Sequence, residues 1–372
     1  MSCAVLCPGS SQIINFITKM AVSFFMDMKN QGFHEIRKHF KQTDSKVQCN
    51  ICPHNCILAP GATGICRTRK NIDGKFYSLV YGRPCSINID PIEKKPLYHY
   101  FPGERILSLG TVGCNLLCKG CQNYDISQAS AESALGPVFH NPEDVIDLAL
   151  ENDIKMIAYT YNEPTIFFEY MIDIAKLARS KGIKNVMVSN GYINKEPLIE
   201  LLPFIDAANI DLKGFSEKFY KDYAKAGLAA VLNTLETIAE HNKKSKHKVW
   251  LEITNLVIPG LNDELSDIRK MCNWIKKNLG ENVPLHFSRF FPYYKAEDID
   301  ATPEPILISA KEIAKKAGLN YVYIGNVGMN EDTYCKKCNS LLIERSHYTA
   351  NIIGLDGKKC KKCKTVLEGV FE

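Results

Sequence analysis

Short apolar runs alternate with amphipathic segments between Arg105 and Gly328. The strand-like runs read RILSLGTV, MIAYTY, NVMVSN, AANIDLK, VWLEITNLVI, PLHFSRFF and YVYIGN. In the segments between them, apolar residues recur every three or four positions, as on one face of an α-helix. This alternation predicts a parallel β-sheet with helices packed outside it.

Three of the intervening segments carry recognisable helix ends. Residues Asn141–Asp144 offer an N-cap, a proline for the first turn and acids that favour a helix N-terminus. Residues Asn262–Glu264 open a second helix, which Gly280 ends. Residues Thr302–Glu304 open a third. These signals support helices between the predicted strands.

The pattern gives six βα units and a last strand over roughly 220 residues, which is short of an eight-unit barrel. We therefore predict an α/β fold built on a partial (βα)6 TIM-type barrel. A doubly wound open sheet fits the same alternation. In both folds ligands bind at the carboxyl ends of the strands.

Four segments are expected along the chain. They are a partly disordered N-terminal extension (1–45), a Cys-rich segment (46–104), the barrel (105–330) and a zinc-ribbon-like module (331–372). The first residues match nothing downstream, and Met28 is a candidate natural start.

Composition narrows the function classes. The 372 residues are 45% hydrophobic and 23% charged, as in an ordinary globular protein, and a net charge of +5 does not indicate a nucleic-acid binder. No secretory signal is visible, and the most apolar N-terminal stretch is interrupted by Lys19 and too short to span a bilayer. Of the 15 cysteines, most fall into three tight groups, which favours metal chemistry in a reducing, cytoplasmic compartment.

The central group lies in TVGCNLLCKGCQ, directly after the first barrel strand. Its members are Cys114, Cys118 and Cys121. Four thiolates would close a [4Fe-4S] cluster, whereas three leave one iron with a free coordination position. The alternative is a zinc or iron-sulfur site closed by a distant fourth ligand.

The two flanking groups each supply four thiolates, enough for a closed site. The N-terminal group consists of Cys49, Cys52, Cys56 and Cys66, and its spacing does not separate zinc from a second iron-sulfur cluster. The C-terminal group consists of Cys335, Cys338, Cys360 and Cys363. Its two C-x2-C pairs, 21 residues apart, are typical of a zinc ribbon.

The motif CNLLCKGC resembles the radical S-adenosylmethionine (SAM) superfamily. In that family the open iron binds the amino and carboxylate groups of SAM, and one electron splits SAM into methionine and a 5′-deoxyadenosyl radical. The family usually has an aromatic residue before the third cysteine, where this chain has Gly120. The adenine must then find its apolar contact elsewhere, and Tyr124 is the nearest candidate.

Other strand ends extend the resemblance. TYNEPT resembles the family's G-G-E-P, which implies that Glu163 receives the SAM amino group, and VSNGY implies that Asn190 contacts the ribose. NIDLKGF resembles the D-x-K of pyruvate formate-lyase activating enzymes, which implies Asp211 and Lys213 at the SAM and substrate site. LVIPGLND and PLHF continue that likeness and place His286 near SAM.

Each of these residues has a plainer structural interpretation. Glu163 could cap the helix turn that follows it, and Asn190 could form an Asn-Gly turn. Asp211 and Lys213 could form an ion pair inside the barrel. A lone histidine such as His286 is more often a structural residue.

The combination of CPHNC…GICRTR, DPIEKKPLYHYFPG, GCNLLCKGCQN and the C-terminal cysteine pairs resembles a narrower group, the radical SAM enzyme of the AmmeMemoRadiSam system. This likeness to activating-enzyme relatives implies hydrogen abstraction, for example from a glycine of a partner protein. It also implies a flavodoxin or ferredoxin as electron donor, and Memo-like and AMMECR-like partners. The alternatives are radical modification of a small molecule or RNA, and a non-catalytic zinc-stabilised binding protein.

Overall fold

The computed structural model describes residues 33–134 and 138–371, so most of the expected N-terminal extension, with Met28, lies outside the described residues. The strands are β1 (His34–Glu35), β2 (Phe40–Thr43), β3 (Lys46–Cys49), β4 (Ile57–Leu58), β5 (Arg69–Ile72), β6 (Lys75–Ser78), β7 (Ser86–Pro91), β8 (Arg105–Gly110), β9 (Met156–Tyr159), β10 (Lys184–Ser189), β11 (Ala207–Asp211), β12 (Trp250–Val257), β13 (Leu285–Arg289), β14 (Val322–Gly325), β15 (Thr333–Tyr334), β16 (Leu341–Ser346), β17 (Thr349–Ile352), β18 (Leu355–Asp356) and β19 (Lys359–Cys360). The α-helices are α1 (Tyr124–Ser127), α2 (Pro142–Glu151), α3 (Phe168–Ser180), α4 (Lys195–Leu201), α5 (Glu217–Phe219), α6 (Leu228–Lys244), α7 (Leu265–Leu279) and α8 (Glu304–Ala317). Short 3-10 helices cover Ile92–Lys94, Pro164–Phe167, Leu202–Phe204 and Tyr294–Ala296, and a π-helical turn covers Tyr220–Ala224.

One eight-stranded sheet forms the centre of the protein, in the order β14-β13-β12-β11-β10-β9-β8-β7. Strands β8 to β14 are parallel, and β7 pairs antiparallel with β8 at one edge. Each of the seven apolar runs coincides with one parallel strand. Because neighbours in the sheet follow chain order without reversal, the structure is a partial TIM-type barrel and not a doubly wound sheet.

The predicted helix ends are found with one shift. Asn141 and Asp144 cap α2 reciprocally, each side chain accepting from the other's backbone amide at 2.8 Å. Helix α7 starts at Leu265, later than expected, because Asn262 and Asp263 accept from backbone amides of the preceding turn. It ends at Gly280, whose φ of +106° suits glycine.

Residues 92–104, here called the plug segment, fill the amino-terminal end of the barrel interior. Leu97 and Tyr100 are buried in a cluster that includes Met156 and Ala207, the first residues of β9 and β11. The apolar and aromatic residues of the plug segment therefore supply the core on this side, whereas Lys94 and Lys95 of the same segment lie toward the carboxyl ends of the strands.

A buried polar network fixes the plug segment to the barrel. The backbone amides of Tyr98 and His99 donate to the Glu252 carboxylate at 3.0 and 2.8 Å. His286 Nε2 lies 2.6 Å from the same carboxylate. The Arg345 guanidinium, from the C-terminal module, packs over the Tyr98 ring at 4.3 Å and donates to the Tyr98 carbonyl at 2.6 Å. The plug segment and the C-terminal module thus meet at the amino end of the barrel.

The N-terminal part forms two three-stranded sheets, β1-β6-β5 and β2-β3-β4. The expected boundary at residue 45 does not match this pairing, because β1 and β2 hydrogen-bond to strands of the Cys-rich segment. The boundary at residue 105 also differs, since β7 already belongs to the barrel sheet.

The C-terminal module consists of the sheet β15-β16-β17 and the hairpin β18-β19. Its core is continuous with Tyr321 and Tyr323 beside the amino end of β14. Across residues 33–134 and 138–371, none of the helices combines the length and the apolar character that crossing a bilayer requires.

Candidate active site at the carboxyl ends of the barrel strands

A cleft of about 530 Å³ opens at the carboxyl ends of the parallel strands. Its wall includes residues that end or follow strands β10 to β14, such as Ser189, Asp211, Ile258 and Asn326. The loop after β8 contributes the cysteines. Cys114, Cys118 and Cys121 all line the cleft, and the described residues place no other cysteine in its wall.

Side-chain amides hold the cysteine loop against the ends of its neighbouring strands. Asn162 Nδ2 donates to the Gly113 carbonyl at 2.7 Å, and Asn115 Nδ2 donates to the Tyr192 carbonyl at 2.8 Å. Asn123 Nδ2 donates to the Tyr161 carbonyl at 2.6 Å. The loop is therefore fixed on both sides of the three thiols.

The thiols suit a metal cluster that displaces their protons. Burial raises the pKa of the Cys118 thiol to about 11, although the nearby Lys213 ammonium opposes this rise. Burial also raises the pKa of Cys114 well above its ordinary value. Thiols of this kind are neutral at pH 7 without metal, and iron binding would release their protons. Three thiols facing one cleft fit a [4Fe-4S] cluster with one iron open to a ligand.

Asn190, Asp211 and Lys213 line the same cleft as the three cysteines. Asn190 Nδ2 donates to Asn115 Oδ1 at 2.9 Å, and the Asn190 side chain lies 3.8 Å from Cys114 Sγ. Asp211 and Lys213 form an ion pair at 2.7 Å, which is partly exposed to the cleft. These three residues therefore form a polar part of the cleft wall next to the cysteine loop.

Glu163 is not brought into the cleft. Its side chain is fully buried, and Oε1 accepts from the Thr165 amide (2.9 Å), the Thr165 hydroxyl (2.6 Å) and the Ser189 hydroxyl (2.8 Å). Oε2 accepts from the Asn190 amide at 2.8 Å. The carboxylate is thus occupied by neighbours, and it caps the short helix that begins at Pro164. This geometry matches the plainer interpretation of Glu163, in which the residue caps the helix turn that follows it.

His286 is also outside the cleft. It is 3% exposed, pairs with Glu252 and packs edge-on against Tyr98 at 4.7 Å. Although His286 and the cleft-lining Ser288 project from the same strand, His286 lies one step deeper, at the plug segment. His286 therefore belongs to the buried network around Glu252.

Gly120, the departure from the family pattern, has a steric cause. A β-carbon at Gly120 would lie 2.7 Å from Tyr223 Oη and 2.8 Å from the Phe290 ring. The Gly120 amide also donates to Tyr223 Oη at 3.1 Å. Tyr223 lines the cleft, whereas Tyr124 stacks on Tyr294 with ring centroids 4.6 Å apart. Tyr223, which the sequence did not single out, therefore occupies the space of the missing aromatic residue.

The cleft also contains two lysines that sequence reasoning missed. Lys94 and Lys95 both line it, and both pair with Asp90, at 3.0 and 2.7 Å. The Tyr161 hydroxyl donates to Asp90 at 2.6 Å, and the Lys95 ammonium lies over the Tyr161 ring. The dipeptide Lys94-Lys95 gave no signal because only the path of the plug segment brings it to the cleft.

The C-terminal cysteines converge on one point. The sulfur atoms of Cys335 and Cys363 are 3.5 Å apart, those of Cys338 and Cys360 are 3.7 Å apart, and all four lie within 4.8 Å of one another. Zn–S bonds of about 2.3 Å in a tetrahedron place the sulfurs about 3.8 Å apart. The four thiols could therefore hold a single metal ion.

Comparisons with known proteins show what this chain is similar to. Residues 108–275 match the family model of the Radical SAM superfamily. An uncharacterized protein of Methanocaldococcus jannaschii is 45% identical over 340 residues, which cover 90% of this chain and 98% of that protein. The pyruvate formate-lyase-activating enzyme of Clostridium pasteurianum is 28% identical over 51% of this chain and 81% of its own length. A crystal structure of a domain of the pyruvate-formate lyase-activating enzyme from Bacteroides vulgatus matches with a TM-score of 0.40 and 18% identity, covering 45% of this chain and 98% of that one.

Proposed function

Because this chain belongs to the radical SAM superfamily, we propose that it abstracts a hydrogen atom from a partner protein, in the manner of an activating enzyme. Cys114, Cys118 and Cys121 would hold the [4Fe-4S] cluster. The observation that carries the proposal is that these three thiols face one cleft, with no other cysteine in the part of its wall that the structure describes.

A bound cluster and SAM supply one-electron cleavage of SAM to a radical that abstracts hydrogen. The chain's own residues position the reactants. Asn190 stands beside the Cys114 sulfur, where it can orient a sugar hydroxyl. The Asp211–Lys213 pair offers an anion and a cation to the polar end of a ligand. Apolar contact for the adenine falls to Tyr223 and its neighbours in the cleft wall.

A protein substrate is supported by two relatives that are named as activating enzymes of other enzymes. One is the activating enzyme from Clostridium pasteurianum, and another is the 4-hydroxyphenylacetate decarboxylase activating enzyme of Clostridium scatologenes, 23% identical over 43% of this chain and 53% of its own length. We infer that the target is a glycine in a Memo-like or AMMECR-like partner. The electron donor would be a reduced flavodoxin or ferredoxin, and the compartment the cytoplasm.

The test of the chemistry is SAM cleavage by protein reconstituted without oxygen. Reduced wild type is expected to release 5′-deoxyadenosine. Replacing Cys114, Cys118 and Cys121 by Ala should abolish this release, because the cluster loses its ligands, while circular dichroism stays unchanged. Cys85→Ala is the matched control, since Cys85 lies outside all three cysteine groups. Normal cleavage by the triple variant would refute the assignment.

A separate experiment tests the substrate. The candidate partner is produced with deuterated glycine and mixed with the reduced enzyme and SAM. Transfer of deuterium into 5′-deoxyadenosine is the expected result. SAM cleavage without deuterium transfer from either partner would remove the partner proposal and leave the radical chemistry intact.

We further propose that the C-terminal module binds zinc and captures the partner rather than generating the radical. Its thiols converge as a tetrahedral zinc site requires, and they leave no vacant position for chemistry. The module packs beside the amino end of the barrel, opposite the cleft. Residues 335–372 carry eight Lys or Arg against four acidic residues, which favours an acidic partner in a salt-dependent way.

A further inference from the structure

A second cavity lies beside the cysteine loop, and four cysteines surround it. Its wall consists of apolar side chains such as Ile51 and Leu58, together with His54, Arg69 and the thiols of Cys49, Cys52, Cys56 and Cys66. The β2-β3-β4 sheet and the turns that follow it bring these cysteines together although they span 18 residues of chain. The sequence motif therefore corresponds to one enclosed site.

The spacing of these thiols differs from that of the C-terminal group. Within residues 33–134 and 138–371, the C-terminal cysteines are the sole set of three or more metal-ligating side chains whose ligand atoms all lie within 4.8 Å of one another. The N-terminal thiols stand around a cavity instead. A single zinc ion requires sulfurs about 3.8 Å apart, so this open arrangement does not suit it.

An open arrangement suits a cluster in which each thiolate binds a different iron. The sulfurs of Cys114, Cys118 and Cys121 likewise do not all lie within 4.8 Å of one another, and these cysteines belong to the motif for which the family uses a [4Fe-4S] cluster. The structure thus contains a wide three-thiol site, a wide four-thiol site and a tight four-thiol site.

The wall of the cavity offers one unused hydrogen-bond donor, Arg69 Nε, to an anionic cluster. Arg69 is 2% exposed and forms two hydrogen bonds to Glu169, at 2.9 and 2.7 Å, yet its Nε has no partner. A buried guanidinium nitrogen without a partner costs free energy unless a ligand accepts from it. Gly64 faces the cavity with no side chain, and a β-carbon there would lie 3.6 Å from Cys66 Sγ and 3.9 Å from Cys56 Sγ.

We propose that Cys49, Cys52, Cys56 and Cys66 bind a second [4Fe-4S] cluster, placed to exchange electrons with the first. Two contacts join the sites. The Cys66 carbonyl packs against Gly113, leaving no room for a β-carbon one residue before Cys114. His54, in the cavity wall, lies with Nε2 2.8 Å from the carbonyl of Asn115, one residue after Cys114.

The proposed relay transfers a single electron. One electron from a reduced flavodoxin or ferredoxin converts the second cluster from the 2+ to the 1+ state, and the same electron then passes to the first cluster. The donor is oxidised by one electron, and no atom is transferred. Full coordination by four thiolates leaves the second cluster without an open iron, so it can relay an electron but cannot bind SAM.

The test is metal analysis of whole protein reconstituted without oxygen, with Mössbauer and EPR spectra. Wild type should contain about eight irons, eight sulfides and one zinc per chain. The variant with Cys114, Cys118 and Cys121 replaced by Ala should keep about four irons, whose spectrum is that of a [4Fe-4S] cluster. Retention of the zinc reports that the triple variant has folded, and Cys118→Ala alone provides a milder second variant.

The outcomes separate this inference from the proposed function. A triple variant with no iron and two zinc ions would overturn the second cluster while leaving the first intact. Four irons in both wild type and triple variant would support the N-terminal cluster and refute the cluster at the cleft. EPR spectra test whether the two clusters lie close together. The spectrum of reduced wild type should show lines broadened by magnetic interaction of the two clusters, and the spectrum of the triple variant should lack this broadening. Two sharp, independent signals in wild type would overturn the proposed electron exchange.

Discussion

The buried carboxylate of Glu163 connects the ends of two neighbouring strands. It accepts from Thr165 in its own segment and from Ser189 and the Asn190 amide at the end of β10. Asn190 in turn lies against Cys114. We therefore expect Glu163 to affect the cleft through the position of Asn190.

Replacing Glu163 by Gln tests this reading. The carboxamide nitrogen would face donors where an oxygen now accepts, so we expect a loss of about 1–3 kcal/mol in the free energy of unfolding. SAM affinity should fall as a secondary effect. Denaturant unfolding and SAM binding give the two readouts, and exposed Glu297→Gln serves as the control. A weaker SAM affinity with unchanged stability would instead indicate a direct contact between Glu163 and SAM.

Gly120 and Tyr223 share one space, which gives a second prediction at this scale. Gly120→Phe should destabilise the protein by about 1–3 kcal/mol through overpacking against Tyr223 and Phe290. It should also lower the iron content of the cleft, because the loop that carries Cys118 and Cys121 must shift. The double variant Gly120→Phe/Tyr223→Ala should recover part of both losses. Purely additive effects in this double-mutant cycle would show that the two residues are independent.

The residues of the cleft could be predicted from the sequence where they belong to a short local motif. The three thiols, Asn190 and the Asp211–Lys213 pair all reach the cleft. His286 and Glu163 do not, since each is held by buried partners that the sequence could not place beside it. Partners distant in sequence, such as Glu252 for His286, leave no local pattern.

At the level of elements, the plug segment links the barrel to the C-terminal module through His99. Its Nε2 accepts from the Tyr323 hydroxyl at 2.6 Å, and its Nδ1–H donates to the Glu368 carbonyl at 2.7 Å. Both bonds require the neutral ring, because a protonated ring could not accept from the tyrosine. Burial lowers the pKa of His99 to about 4.

Stability should consequently depend on pH through this side chain. Between pH 6.5 and about 4 the unfolded histidine binds a proton and the folded one does not, so the free energy of unfolding falls by about 1.4 kcal/mol per pH unit as the pH drops. The His99→Gln variant has no titrating group at this position, so its free energy of unfolding should not fall for this reason. The stability difference between wild type and His99→Gln, from denaturant unfolding, should narrow below pH 6.5 and stay constant above it. His347→Gln, at an exposed turn, is the control, and a constant difference over the whole range would refute the pKa assignment.

Alternating apolar runs made the parallel strands predictable, because a buried strand in a βα unit leaves a short hydrophobic signature. Strand β7 and the plug segment left none. In β7 the residues from Ser86 to Asn88 are partly or fully exposed, and the plug segment has neither strand nor helix periodicity. Their place in the fold follows from contacts with Met156, Glu252 and Arg345, which lie far away in the chain.

For the molecule as a whole, the zinc-ribbon-like module and the cleft lie at opposite ends of the barrel. Cys338→Ala should lower zinc content and binding to the partner, while SAM cleavage without substrate continues at the wild-type rate. Zinc analysis, a partner pull-down and deoxyadenosine release measure the three quantities. Loss of SAM cleavage in a variant that keeps its cleft cluster would place the module in the catalytic machinery.

Removing the whole module is a harsher change. Truncation after Asn330 would take away Arg345 and expose Tyr321 and Tyr323. We expect the truncated barrel to lose several kcal/mol of stability, because buried aromatic rings and the partners of a buried network become solvated. A lower thermal midpoint measures this, and Cys338→Ala, which keeps the module in the chain, is the comparison. A truncated protein as stable as wild type would show that the barrel folds independently of the module.

The packing of Arg345 over the Tyr98 ring has a consequence for synthesis on the ribosome. The plug segment emerges early, whereas Arg345, which covers Tyr98, follows Tyr98 by 247 residues in the chain. Domains fold as they leave the ribosome, N-terminal parts first. The amino end of the nascent barrel therefore stays incomplete until β16, which carries Arg345, has been synthesised. During that interval its amino end is open to chaperones and to premature association, and a chain that stalls before residue 345 would present this surface to quality control.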